Sequence, residues 1–171
     1  IPEFGAIRGR TIFDVYHTYT VDLHSIHAVC ELNGLIQSEN DVFARVSDLD
    51  VLYFSTFLHD IGKGSGRPHA VKGAEIIRSI ARRFGFDHAQ TDLAAFLVQN
   101  HLLMADLAFS RDLSEEKVIG DFALKAASPE RLSLLYLLTV ADSRATGASA
   151  WSEWKASLLQ ELYIRTLNIL E

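Results

Sequence analysis

Hydrophobic positions recur every three to four residues along most of this chain, and no segment alternates every second residue between turn signals. The pattern predicts helices and no strands. A first helix is expected from Thr20, as N-cap, to Asn33, with Gly34 just past its end. Its apolar stripe would be Leu23, Ile26, Val29 and Cys30. A second, roughly 48–61, starts from Ser47 or Asp48. It is apolar on most sides through Val51, Leu52, Phe54, Phe57 and Leu58, as a central buried helix would be. The loop Gly62-Lys63-Gly64-Ser65-Gly66 breaks it. Pro68 suits the first position of a third helix running to Phe84 and closed by Gly85. Asp87 would cap a fourth near 88–103. Ser114, Glu115 and Glu116 open a fifth at 115–126, and Ser128-Pro129-Glu130 opens a sixth, running to about Ala145 and ended by Gly147. A last helix is expected over 150–170. Residues 1–12 read as extended or irregular, and 35–47 fit no one pattern. The sum is a single all-α domain over 1–171, a bundle of six to eight helices.

Composition narrows the class. Apolar residues make up 49% of the 171 positions and charged residues 22%, the balance of an ordered globular core. A net charge of -6 repels a phosphate backbone, so broad nucleic-acid binding is disfavoured and no nucleic-acid partner is expected. A small phosphorylated substrate remains compatible, because a local cation outweighs the net field. One cysteine, Cys30, forms no internal disulfide, which points to a reducing compartment, the cytoplasm. No uninterrupted apolar run reaches the roughly 18 residues of a membrane span, so no membrane is expected. The N-terminus carries no signal-peptide pattern. It also lacks a starting Met, which suits a domain cut from a longer protein.

Seven histidines leave the chemistry to context. The strongest cluster is Phe57-Leu58-His59-Asp60-Ile61-Gly62-Lys63-Gly64. Neighbouring helical residues point about 100° apart, but both His59 and Asp60 can reach one ion lying off the helix end. Two polar groups closing an apolar helix need partners, because an unpaired buried charge is costly. A metal ion is one such partner. A hydrogen-bonded His-Asp pair at a helix terminus meets the same need, so the dipeptide alone does not choose.

Other ligand types at matching places along the chain do choose. The sequence resembles the HD superfamily of metal-dependent phosphohydrolases, which uses an early His, an adjacent His-Asp pair and a late Asp on separate helices. Here these positions correspond to His24, His59 with Asp60, and Asp142 in Leu138-Thr139-Val140-Ala141-Asp142. Two-metal members add two histidines between; His69 in Pro68-His69-Ala70-Val71-Lys72-Gly73-Ala74 and His101 in Val98-Gln99-Asn100-His101 match them. Two departures stand out: Leu102 where some members have a second consecutive His, and Arg67-Pro68 where an acidic residue is expected before the His. Longer strings carry the resemblance further. Ile1-Pro2-Glu3-Phe4-Gly5, Thr18-Tyr19-Thr20-Val21-Asp22, Asn100-His101-Leu102-Leu103-Met104 and Trp154-Lys155-Ala156-Ser157-Leu158-Leu159 look like the HD domain of bifunctional PII uridylyltransferase/uridylyl-removing enzymes. That resemblance implies removal of UMP from uridylylated PII, a nitrogen-regulatory protein. It also implies a parent chain with a nucleotidyltransferase domain before this segment and ACT domains after it.

Imidazole and carboxylate ligands suit one or two divalent ions, Mn, Fe, Zn, Co or Mg, without selecting among them. Asp60 is positioned to bridge two. Lys63, on the glycine loop, is the candidate for a charge on the substrate phosphate, alongside its alternative as a solvated loop lysine. Arg144 and His17 are further candidates for substrate contact; a hydrogen-bonded structural His serves equally for His17. His27 is read as lying behind the ligands or on the surface, His88 as solvated, and Arg82-Arg83 as an exposed helix face. Trp151 and Trp154 are read as packing for the last helix, and Cys30 as a core residue. Two other functions stay open: a stand-alone HD nucleotide phosphohydrolase or cyclic-dinucleotide phosphodiesterase, and a non-catalytic module binding a nucleotide or a partner.

Overall fold

The most apolar helices take the centre of the bundle, and the site grows from their ends. The computed structural model describes residues 1–11, 19–147 and 150–171. The order is a 3-10 turn Pro2–Ala6, then α1 Val21–Ser38, α2 Asn40–Phe43, α3 Leu49–Leu58, α4 His69–Arg83, α5 His88–Asn100, α6 Leu103–Ser110, α7 Glu116–Ala126, α8 Pro129–Thr146 and α9 Glu153–Leu170. α2 is a single turn, so eight helices are longer, and no strand occurs among the described residues. The fold is all-α.

α8 is the axis. An unbroken run from Leu132 to Ala141 is buried, so it packs on every side. Ser128 caps it, its hydroxyl accepting from the Arg131 N–H at 3.2 Å, and Pro129 begins it. α1 lies along α8, α3 packs on α1 and α5, and α4 pairs with α5. α9 closes the far side against α6, α7 and α8. α3 starts at Asp48, whose carboxylate accepts from the Val51 N–H at 2.9 Å. Asp87 and Gln90 form a reciprocal capping box on α5.

Several expected boundaries move, for identifiable reasons. α1 continues through Gly34 to Ser38, because one more turn buries Leu35 completely. Its inner face is Val21, His24, Ser25, Ala28, Leu32 and Leu35. The expected stripe is the outer face: Leu23 and Ile26 are each 47% exposed and Cys30 is exposed. Polar His24 and Ser25 hide the inner face from a hydrophobicity reading; Ser25 satisfies itself by donating to the Val21 carbonyl. The first residues are ordered as a 3-10 turn that stacks Phe4 on Phe57, with ring centroids 4.7 Å apart, and buries Ile7. Pro68 is the N-cap of α4, one place earlier than expected. Glu115 takes the cap position of α7, while Ser114 turns its N–H to the Asp112 carboxylate. α9 begins at Glu153 behind the Ser152 cap. Trp151 packs on the core, but Trp154 is 65% exposed.

The expected helix over 88–103 stops at Asn100, turns at His101-Leu102, and restarts as α6. The stretch His88–Ser110 has the length and mean hydropathy, 1.3, of a membrane span, by composition alone. Half of that window is buried inside the bundle. The break within it places His101.

Candidate metal centre

Each candidate ligand sits where a helix presents it to the gap between α1, α3, α4, α5 and α8. His24 comes from the inner face of α1, and Asp142 from the last turns of α8. His59 and His101 are the C-cap residues of α3 and α5, and His69 opens α4. His24, His59, Asp60 and His101 are almost wholly buried, while the side chains of His69 and Asp142 keep 29% and 17% of their surface. The structure therefore brings all six expected residues together.

Asp60 divides the cluster into two halves. Its Oδ2 faces His59 Nε2 at 3.3 Å and His24 Nε2 at 3.8 Å. Asp142 Oδ1 completes that half, 2.8 Å from His24 Nε2 and 3.4 Å from His59 Nε2. Asp60 Oδ1 faces the other way, 3.5 Å from His69 Nε2 and 3.6 Å from His101 Nε2, and those two nitrogens are 3.4 Å apart. Ligands held about 2.1 Å from one ion stand roughly 3.4 Å from each other in a tetrahedron. Both halves have that spacing. His24, His59 and Asp60 form one group able to hold an ion; Asp60, His69 and His101 form another. Asp60 Oδ1 is buried and makes no hydrogen bond among the described residues, the state of an atom that needs a cation.

The imidazoles are aimed in advance. His59 Nδ1 donates to the Thr56 carbonyl at 2.8 Å, and His101 Nδ1 donates to the Val98 carbonyl at 2.7 Å. A carbonyl only accepts, so Nδ1 carries the hydrogen and Nε2 is left to face the centre. Sequence reasoning missed these backbone partners, although both lie three residues before their histidine.

Two glycines fix how closely the helices meet. A Cβ on Gly62 would fall 2.5 Å from the Gly73 nitrogen and nearer still to the His69 carbonyl oxygen. A Cβ on Gly73 would fall 2.8 Å from Cγ1 of Val98. The contact Gly62–Gly73–Val98 thus ties the turn after Asp60 to α4 and α5, and sets the spacing of His69 and His101 from Asp60.

The electrostatics fit a cation site. Burial lowers the basicity of His59, but Asp60 and Asp142 outweigh it and hold its pKa well above the ordinary range. Burial alone would raise the pKa values of Asp60 and Asp142. The His59 charge beside each, with Lys63 and His101 near Asp60 and His24 near Asp142, keeps both well below the usual carboxylate range. Burial, then the nearby His59 charge, pushes His101 down to about 4. Burial also pushes His69 down. Both rings are neutral at pH 7, the form that ligates.

Lys63 Nζ lies 2.6 Å from Asp60 Oδ2. Arg144 is turned toward Trp151, its guanidinium carbon 5.4 Å from the ring centroid, and its charge acts on Glu39. His17 lies outside the described residues. His27 is exposed and stacks on Tyr19, and exposed His88 pairs with Asp92 at 3.0 Å.

Residues 16–147 match the family model of the HD domain. This chain belongs to that family. The HD domain described here is similar to bifunctional uridylyltransferase/uridylyl-removing enzymes. It is 48% identical to that of Zymomonas mobilis over 95% of this chain. Identity is 42% with that of Novosphingobium aromaticivorans and 40% with that of Azospirillum brasilense, each over 99%. The chain spans about a fifth of the length of these relatives: 18%, 20% and 19%.

Proposed function

We propose that this HD domain hydrolyses phosphodiesters with one or two divalent ions held by His24, His59, Asp60, His69, His101 and Asp142, and that its substrate is the UMP-tyrosyl linkage of uridylylated PII. The observation that carries the metal-centred reading is Asp60, whose two oxygens face separate histidine groups at metal-ligand spacing. The substrate comes from the names of the relatives, which describe uridylyl removal.

A divalent ion supplies a Lewis acid for the phosphoryl oxygens and a source of hydroxide near neutral pH. The protein does the rest. Neutral His69 and His101 offer unprotonated nitrogens to the half of the centre nearer solvent. Burial of His24, His59 and Asp60 keeps water from competing for the same atoms. Lys63, now paired to Asp60 Oδ2, has a flexible stem and can swing its ammonium to an anionic phosphoryl oxygen. In this reading a nucleotidyltransferase domain and ACT domains complete the parent chain, which works in the cytoplasm.

The test is hydrolysis of uridylylated PII, compared with free nucleotides and cyclic dinucleotides, with Mn, Fe, Zn, Co or Mg supplied in turn. Release of UMP from PII at the highest rate is expected. Hydrolysis of none of these substrates with any metal would sink the enzyme reading, and preference for a free nucleotide would sink the PII assignment.

A further inference from the structure

Arg10 belongs to none of the ligand motifs, yet it joins the two elements that flank the centre. Its carbonyl accepts a hydrogen bond from the Val21 N–H at 2.9 Å, which fixes its backbone against the first turn of α1, one turn before His24. From there the side chain reaches the glycine loop. Nε, Cζ and Nη1 of Arg10 are the atoms nearest to where a side chain at position 64 would begin, with Nε 2.6 Å from that point. Position 64 has to be glycine for a second reason as well, its φ of +82°. The guanidinium therefore rests on the residue directly after Lys63, whose ammonium reaches Asp60.

Lys63 leads from that loop to the part of the centre that meets solvent. The side chains of His69, Asp142 and Lys63 are 29%, 17% and 16% exposed, while His24, His59, Asp60 and His101 are closed off. Arg10 is itself exposed, and among the described residues it makes no ion pair with a carboxylate. Lys63 is held by Asp60; Arg10 is a charged fork with no carboxylate partner among the described residues.

We propose that Arg10 is a substrate-binding residue that grips the phosphate of a nucleotide beside the metal centre. The assignment rests on the reading of the centre as a nucleotidyl phosphodiesterase. A guanidinium offers two parallel N–H donors to two phosphate oxygens, a geometry that an ammonium does not reproduce. It also lets Lys63 serve Asp60 and the reacting oxygen while a second group holds the nucleotide.

The test uses UMP as probe, titrated by calorimetry into the metal-loaded domain, with metal content and melting temperature measured on each variant. Arg10→Ala should weaken UMP binding about tenfold, the loss of one charge-assisted contact, with metal content and melting temperature unchanged. Arg10→Lys should recover only part of it. UMP affinity unchanged in Arg10→Ala overturns the proposal, as does absence of UMP binding by the unaltered domain. Loss of metal or of melting temperature in Arg10→Ala also overturns it, because Arg10 would then be a brace for the loop. If the unaltered domain hydrolyses no phosphodiester but binds UMP through Arg10, the hydrolase reading falls and the Arg10 assignment stands.

Discussion

Replacing Gly62 with alanine tests whether helix spacing, and not ligand identity alone, makes the centre. The new methyl would lie 2.5 Å from the Gly73 nitrogen and closer to the His69 carbonyl, both backbone atoms that no rotamer change can move. Ordinary contact requires a separation of at least about 3.2 Å, so the start of α4 must retreat by roughly 1 Å. His69 is the first residue of α4 and travels with it, and Gly73 transmits the shift to Val98, whose carbonyl orients His101. The 3.5 Å and 3.6 Å distances from Asp60 Oδ1 then open, while His24, His59 and Asp142 keep theirs. Overpacking of this kind costs about 1–3 kcal/mol. In a domain of this size that lowers the melting temperature by roughly 2–12 °C. Gly62→Ala should therefore lose the ion of the His69–His101 half, retain the other, and fall by about a hundredfold in kcat. Metal analysis, a thermal melt and a phosphodiesterase assay read the three effects. Gly120→Ala is the control: it sits in α7 with nothing within 4 Å, and should gain up to about 1 kcal/mol. Wild-type metal content and melting temperature in Gly62→Ala would refute the spacing argument.

Three further outcomes are expected. Lys63→Ala should keep its metal and lose about 10²-fold in kcat, the scale of one electrostatic contact to a reacting phosphate; unchanged kcat would return Lys63 to a structural pairing with Asp60. Stripping metal with a chelator should lower thermal stability by about 2.7 kcal/mol relative to protein held at a hundred times the metal dissociation constant, and identical melts would show that no ion binds these ligands. Burial, and then the Glu39 carboxylate, pushes the pKa of the Tyr136 phenol well above the value of about 10 it has in an unfolded chain. Its contribution is thus complete below about pH 10 and drains away as pH rises beyond it. Tyr136→Phe should lose less melting temperature than the unaltered protein between pH 10 and 12; parallel curves would contradict this.

The all-α class was legible because helical spacing, caps and prolines agree along most of the chain. Asp48, Asp87 and Ser128 all cap where expected, each with its own hydrogen bond. That these six side chains converge was legible from the resemblance to HD enzymes, and not from periodicity. The inner face of α1 shows why. Its buried stripe contains His24 and Ser25, so the candidate ligand itself disguised the face it stands on, and Leu23 and Ile26 on the outside looked like core. The break at His101-Leu102 was hidden for a related reason. Nothing in Leu97 to Met104 stops a helix except the His101 ring, which takes the Val98 carbonyl. The role of Arg10 was invisible because the contact with Gly64 spans two loops far apart in sequence.

That bond from each imidazole to the carbonyl three residues earlier has a consequence for how this domain can vary. His59 and His101 stop the helices whose ends they occupy, so α3 and α5 have no free choice of length. A residue inserted into either helix would turn its terminal histidine by about 100° and carry it 1.5 Å along the axis. Substitutions can be absorbed along these two helices, but insertions and deletions belong in the loops between them.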